Sequence, residues 1–350
     1  MSEGLKKLVD KLGQFGVLEE QEYVELIRFR DEETTEYLRR TAEKQQQSRR
    51  GRVYTMGTID LSSYCKNNCK YCALQRDNRF AERYRMTGEQ VLECCRAGIE
   101  KGIYSFLIQG GDDLQYTPNQ IAEMIAAIRE LAPESSVFLA LGEKSRAVYK
   151  KWRMAGAGGY ILCHEASEDG LYKKLHPANM SLLRRKQCLW ELKELGYAVG
   201  SGFMVGSPYQ RVTDLAKEFL FLKQLDPQLI LTGPFLPMDG TPFEGERNGT
   251  PDMTYFVMSI LRLSLPGAFI PAAQTLEMID REGALHAVQA GADIILPDLT
   301  PQAMRSQYHC YKKRYIRGEI GMEMLTDKER KLREAGYEIV IDGMGIRVDG

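Results

Sequence analysis

The chain has 350 residues, 43% hydrophobic and 27% charged, enough for one large buried core or two smaller ones. Its 47 basic and 48 acidic side chains leave a net charge of -1, so no cationic excess points to a nucleic acid or an anionic membrane as partner. The opening MSEGLKKLVDKLGQFG lacks the apolar run of a signal peptide, and the most apolar later stretch is interrupted by Arg262 and Pro266, so a soluble cytoplasmic protein is expected. In that setting eight cysteines argue against a disulfide framework and leave metal binding, catalysis or packing as their uses.

Residues 1–52 read as an N-terminal helical extension that ends in the polar run AEKQQQSRRGR. Strands are expected at 53–61, 105–109, 137–141, 160–163, 199–205, 229–232, 268–272 and 293–296. Between them recurs a helix that ends at glycine and runs into a short apolar strand, as in EKGIYSFLIQ, MAGAGGYILC, ELGYAVGSGF and QAGADIILPD. Glycine supplies the left-handed helix cap, and the Val, Ile and Leu that follow suit a strand covered on both faces. Thr87 with Gln90, and Thr117-Pro118-Asn119-Gln120, read as capping boxes that open helices. Eight strands alternating with helices predict a (βα)8 TIM-type barrel over 53–300, with an open doubly wound sheet as the alternative. Residues 301–350 read as a C-terminal extension packed on the barrel, with a helix over 326–335 and a final apolar EIVI.

On such a barrel, chemistry sits on the loops that leave the C-terminal strand ends. The loop after the first strand carries SSYCKNNCKYCALQRDN, in which Cys65, Cys69 and Cys72 form C-x3-C-x2-C. A zinc knot or reduced core thiols are the plain alternatives. Structural zinc normally takes four ligands, and His164, His176, His286 and His309 all lie far along the chain. An iron–sulfur cluster held by three cysteines keeps one iron open to a substrate or cosubstrate.

With Tyr71 at the aromatic place, C-x3-C-x-aromatic-C on the first loop of a (βα)8-like chain resembles the radical S-adenosylmethionine (SAM) superfamily. The resemblance implies a 4Fe-4S cluster on the three cysteines. Its open iron is chelated by SAM, which one electron cleaves to methionine and a 5'-deoxyadenosyl radical. IQGGDD is similar to the family's Gly-Gly-Glu segment, so Gly110, Gly111 and Asp112 would receive the SAM ammonium, with Asp shortening the reach of the usual Glu. VGSGFMVGSP resembles the glycine-bearing fifth strand under the adenine. From about 53 to 311 the chain is similar to the group of the FeFe-hydrogenase maturase HydE and methylornithine synthase (PylB), through CALQRDN, RYRM, LALGE, LKELGY, GPFLPMDGTP, FIPA and AGADIILPDLTP. That similarity implies that Glu165 in CHEAS holds the ribose or amino end of SAM and that Arg185 in SLLRRKQCL pairs with its carboxylate, with Arg184 solvated.

The departures lie in the substrate residues. HydE usually has Arg where Cys163 stands, threonines where Ala273 and Gln274 stand, and Tyr where Met304 stands. PylB reads its amino acid with an Arg and an Asp at the positions of Leu231 and Thr275. The auxiliary-cluster cysteines of some HydE proteins are absent, with only Cys310 in the tail. Cys163, Glu143 and Asp113 sit at strand ends and are candidate cavity residues, whereas Cys94, Cys95 and Cys188 read as packing. The expected function is a HydE-like radical SAM enzyme acting on a small-molecule or organometallic substrate, fed by an electron donor such as flavodoxin or ferredoxin. The alternatives are a PylB-like enzyme acting on an amino acid other than lysine, and a non-catalytic SAM- or iron-binding assembly protein.

Overall fold

The computed structural model describes residues 2–48, 51–308 and 324–340, so His309 and Cys310 lie outside the described residues. The strands are β1 (Arg52–Thr55), β2 (Gly57–Ser62), β3 (Ser105–Gly110), β4 (Ser136–Ala140), β5 (Gly159–Ile161), β6 (Ala198–Val205), β7 (Leu229–Pro234), β8 (Ile294–Ile295) and β9 (Glu338–Val340). β2 to β7 form one sheet in chain order, parallel throughout. Each crossover carries helix, as parallel pairing requires. The expected capping boxes open the helices Gly88–Ile99 and Pro118–Leu131, with Pro118 in the first turn.

The rest of the ring is thinner than the sequence suggests. The expected strand at 268–272 forms no continuous ladder and pairs through the isolated bridges Leu229–Phe269 and Pro271–Ile294, and the one at 293–296 shrinks to β8. Pro271 and Pro297 have no N–H to give to a ladder, which keeps these segments short. Closure still runs through backbone bonds: Phe269 N to Gln228 O at 2.8 Å, Ala272 N to Ile294 O at 2.8 Å and Thr58 N to Pro297 O at 2.9 Å. The expected strand at 53–61 is split at Met56 because the chain changes partners there. β1 pairs with β8 and β9, whereas β2 pairs with β3. The tail strand β9 thus extends the barrel floor beside β1.

Met56, Leu107, Phe138, Ile161, Leu229 and Ile294 fill the lower interior. Outside it, the helices Glu3–Phe15, Glu20–Phe29 and Glu32–Ser48 pack on the barrel helices Val212–Leu225 and Pro251–Ser264. No described helix is long and apolar enough to cross a membrane.

Towards the mouth the interior becomes polar. Asp60 on β2 is 1% exposed, and its Oδ1 accepts from Gln109 Nε2 at 2.8 Å. Burial, and then the nearby Asp298, push its carboxyl well above the ordinary carboxylate range, with Arg305 opposing. A folded-state pKa above the unfolded one means stability that is complete at acid pH and is lost as pH rises through the folded value. Asn at this position keeps the oxygen that Gln109 needs and does not titrate. In thermal melts the advantage of Asp60→Asn over the parent should therefore grow between pH 5 and pH 8; an advantage that stays constant or shrinks contradicts the assignment.

Candidate functional site at the barrel mouth

The cysteine loop leaves β2 and returns to it, with Arg85 bridging Ser62. Its polar backbone is gathered by one guanidinium: Arg83 donates to the carbonyls of Leu74 at 3.0 Å, Gln75 at 2.6 Å and Asn78 at 3.2 Å, and to that of Ser63. Lys70 N donates to Leu175 O at 2.9 Å, which ties the loop to the helix Asp169–Leu175. Cys65 Sγ accepts the backbone N–H groups of Asn67 at 3.4 Å and Asp112 at 3.3 Å. A Cβ at Gly111 would stand 2.0 Å from Tyr64 O, so only glycine lets the segment after β3 run alongside the cysteine loop.

Burial pushes the Cys69 thiol up to about 12, against the field of Arg185, and raises Cys72 as well. Thiolates at these positions need a positive centre between them. No three His, Cys, Asp or Glu side chains converge as a single metal ion requires, among the described residues. The fit to a cluster rests instead on the donor set: three thiols on one pinned loop, with backbone N–H groups aimed at a sulfur.

Across the mouth, Arg185 projects from the helix Leu182–Glu194 with 7% exposure. Its Nε donates to Glu143 Oε1 at 2.6 Å and its Nη1 to the Cys163 carbonyl. Arg184 turns away to pair with Glu191 at 2.9 Å. Asp112, 3% exposed, is paired with Lys66 at 2.9 Å and with Lys144. Asp113 is paired with Arg85 at 2.6 Å and accepts from Ser62 Oγ at 2.7 Å. Both acids of the GGDD segment therefore already hold cations, none of which sequence patterning linked to them.

Glu165 has φ +62°, a left-handed conformation that costs a non-glycine residue of order 1 kcal/mol or more. Its N–H reaches Gly202 O at 3.0 Å, and its Oε2 is buried without a hydrogen-bond partner among the described residues. Burial raises its carboxyl to about 7, with Arg185 opposing. The turn is held from behind. His164 points outward, fully buried, with Nδ1 at 2.9 Å from Ser201 Oγ and Nε2 at 2.7 Å from Glu218 Oε2. The other Glu218 oxygen accepts Ser167 N at 2.8 Å, so one carboxylate clamps both sides of Glu165.

Below these groups lies a cavity of about 340 Å³, lined by Cys72, Cys163, Glu165, Leu231, Gln274 and Thr275 among others. Glu165 is its one charged lining residue among the described residues. Gln274 Nε2 donates to Leu296 O at 3.0 Å. Of the candidate cavity residues, Asp113 and Glu143 do not line it; Glu143 faces the neighbouring cleft with Lys66, Asp112 and Lys144. Cys94, Cys95 and Cys188 are buried in the core.

The Radical SAM superfamily profile matches residues 59–222. The [FeFe] hydrogenase maturase subunit HydE of Thermotoga maritima is 38% identical over 259 residues, 74% of each chain. The chain belongs to the radical SAM superfamily. As a radical SAM enzyme it uses a 4Fe-4S cluster and SAM. A 3-methylornithine synthase of Methanosarcina acetivorans is 29% identical over 298 residues, 84% of this chain and 83% of that one. The crystal structure of methylornithine synthase (PylB) superposes with a TM-score of 0.83 at 27% identity, covering 95% of this chain and 97% of that one. HydG from Carboxydothermus hydrogenoformans, at 20% identity and a TM-score of 0.78 over 96% of this chain and 79% of its own, shares the fold.

Sequence reasoning missed the clamp behind Glu165. Its signal was a lone Glu218 on a helix face otherwise built from Leu215, Phe219 and Leu222, all buried. Glu218→Ala leaves two buried partners unpaired and should cost about 1–3 kcal/mol in urea denaturation. Glu218→Gln, which keeps one acceptor, should cost less. Equal, negligible losses in both would show that the clamp carries no strain.

Proposed function

We propose that Cys65, Cys69 and Cys72 hold the cluster and that SAM lies between it and the cavity. The carbonyls of Gly110 and Gly111, with Asp112, receive the ammonium; Arg185 takes the carboxylate and Glu165 the ribose hydroxyls. Tyr71 packs beside the cluster loop against His176, with ring centroids 5.5 Å apart. A cluster held there would supply one-electron reduction of bound SAM, the chemistry by which radical SAM enzymes generate methionine and a 5'-deoxyadenosyl radical. The chain's own contribution is placement. Cys72 and Glu165 both line the cavity, so SAM held between them would lie against whatever the cavity holds. Lys66 and Lys144 must share or release Asp112 when the ammonium arrives, which reduces its grip relative to a free carboxylate.

The substrate follows from the cavity's lining. A free amino acid enters with a carboxylate, and an unpaired charge away from water costs several kcal/mol. Among the described residues no Lys or Arg lines this cavity, and by the resemblance drawn from the sequence Leu231 and Thr275 stand where the methylornithine synthases carry an Arg and an Asp. The lining favours a small, weakly charged or organometallic molecule, as in HydE-type maturation of the hydrogenase H-cluster. In this reading the enzyme is cytoplasmic and takes electrons from a flavodoxin or ferredoxin.

Three outcomes test the reading. Reconstituted, reduced Cys69→Ala should release no 5'-deoxyadenosine from SAM, whereas Cys95→Ala should match the parent; normal cleavage without Cys69 would falsify the cluster assignment. Arg185→Ala should weaken SAM binding by about 2–5 kcal/mol, and Arg185→Lys should recover part of it. Labelled lysine should not yield methylornithine, and the gene should restore hydrogenase activity to a strain lacking HydE. Efficient methylornithine formation would move the enzyme to the PylB reading.

A further inference from the structure

Part of the cavity wall is a stretch of chain with no helix or strand of its own. Residues 236–248 leave the end of β7 and come back on themselves: Phe235 N donates to Val205 O at 2.8 Å and Gly249 N to Phe235 O at 2.8 Å, so the two ends of the loop lie together. Leu236 and Met238 of this loop line the cavity, as do residues 71–74 of the cysteine loop. Leu236 and Phe243 anchor the loop by burial, whereas Pro242 and residues 244–247 are exposed. A segment held this lightly opens at less cost in free energy than the strands it rests on.

Its tip is fastened to the cysteine loop. Asn78 is 4% exposed, and its Oδ1 accepts Phe80 N at 2.9 Å, which fixes which way the amide faces. Its Nδ2 then donates to two carbonyls, Ala73 O at 2.8 Å in its own loop and Asp239 O at 2.9 Å in the tip. Gln75 Nε2 adds a bond to Gly240 O at 3.3 Å. Gly240 has φ +73°, and a Cβ there would stand 2.1 Å from Asn78 Oδ1, so only glycine lets the tip seat on that amide. Both of these side chains are tied back to a cysteine. Gln75 N donates to Cys72 O at 3.1 Å, and Asn78 N to Gln75 O at 3.1 Å.

We propose that residues 236–248 are a movable wall of the cavity and that Asn78 latches this wall to the cysteine loop, so that a cluster on Cys65, Cys69 and Cys72 orders the cavity along with its own loop. This rests on the cluster assignment made above. Drawing three cysteines onto one inorganic centre fixes the turn at Cys72, and the successive turns at Gln75 and Asn78 carry that order to Asp239 and Gly240. Asn78 does not line the cavity and acts as a positioning residue, through Leu236 and Met238. The coupling is reciprocal: whatever frees the tip also loosens the loop that holds the cluster.

The test is backbone hydrogen exchange over 236–248 in cluster-free and anaerobically reconstituted protein, with iron content measured alongside. In the parent, reconstitution should slow exchange there by about tenfold or more, the change in opening equilibrium that one or two ordinary hydrogen bonds supply. Reconstituted Asn78→Ala should exchange over 236–248 within about twofold of the cluster-free parent, while exchange across β3 to β6 stays at the parent's rate. Gly240→Ala pushes the tip off the same amide from the other side and leaves the cysteine loop's own sequence intact. It should give the same result, and it provides the reading if Asn78→Ala does not fold. A parent that holds about four irons yet exchanges over 236–248 as the cluster-free protein does, or a cluster effect of parental size in either variant, overturns the latch. A parent that takes up no iron–sulfur cluster overturns the cluster assignment instead.

Discussion

A guanidinium taken out of water at Arg185 sets the terms for the groups around it. The desolvation of such a charge costs several kcal/mol, and it persists only where oxygens surround it. Here they come from separate elements: Glu143 from the loop after β4 and the Cys163 carbonyl from the loop after β5. The same field reaches outward. It opposes the burial that raises Glu165, adds to the burial that keeps His176 neutral, with a pKa near 3, and tempers the rise of Cys69. One cation thus links the cysteine loop to both ends of the proposed SAM site.

The barrel supplies what that arrangement needs. Parallel strands bring all the loops after their C-terminal ends to one mouth, so residues 40 or more positions apart in sequence become neighbours there. Glu165 stands at its edge in a left-handed turn, and the strain is borne behind it by His164, Ser201 and Glu218 in the dry layer outside the sheet. The glycines of β6 serve the same end. A Cβ at Gly202 would lie 1.7 Å from Leu231 O, so that strand must stay bare where it faces β7.

Much of this was legible in the sequence, because its determinants are local. Helix caps, glycine stops and apolar strand runs lie within a few residues, and they placed all eight strand positions of the ring in order. The cysteine spacing is local too. What stayed hidden depends on distant partners. The split at Met56 follows from β1 and β2 choosing different neighbours, and the thin closure at Pro271 and Pro297 from missing donors. Arg185 with Glu143, Asp112 with Lys144, and His164 with Glu218 join residues that no periodicity connects. Glu143 was therefore read as a cavity residue, although the structure commits it to Arg185.

The most direct test of a SAM site organised around Arg185 is an anaerobic crystal structure of the holoprotein with SAM. The account predicts a cluster on Cys65, Cys69 and Cys72, the SAM carboxylate within hydrogen-bond reach of Arg185, and Glu165 on the ribose. A carboxylate seated instead on Lys66 and Lys144, with Arg185 still closed on Glu143 and the Cys163 carbonyl, would contradict it.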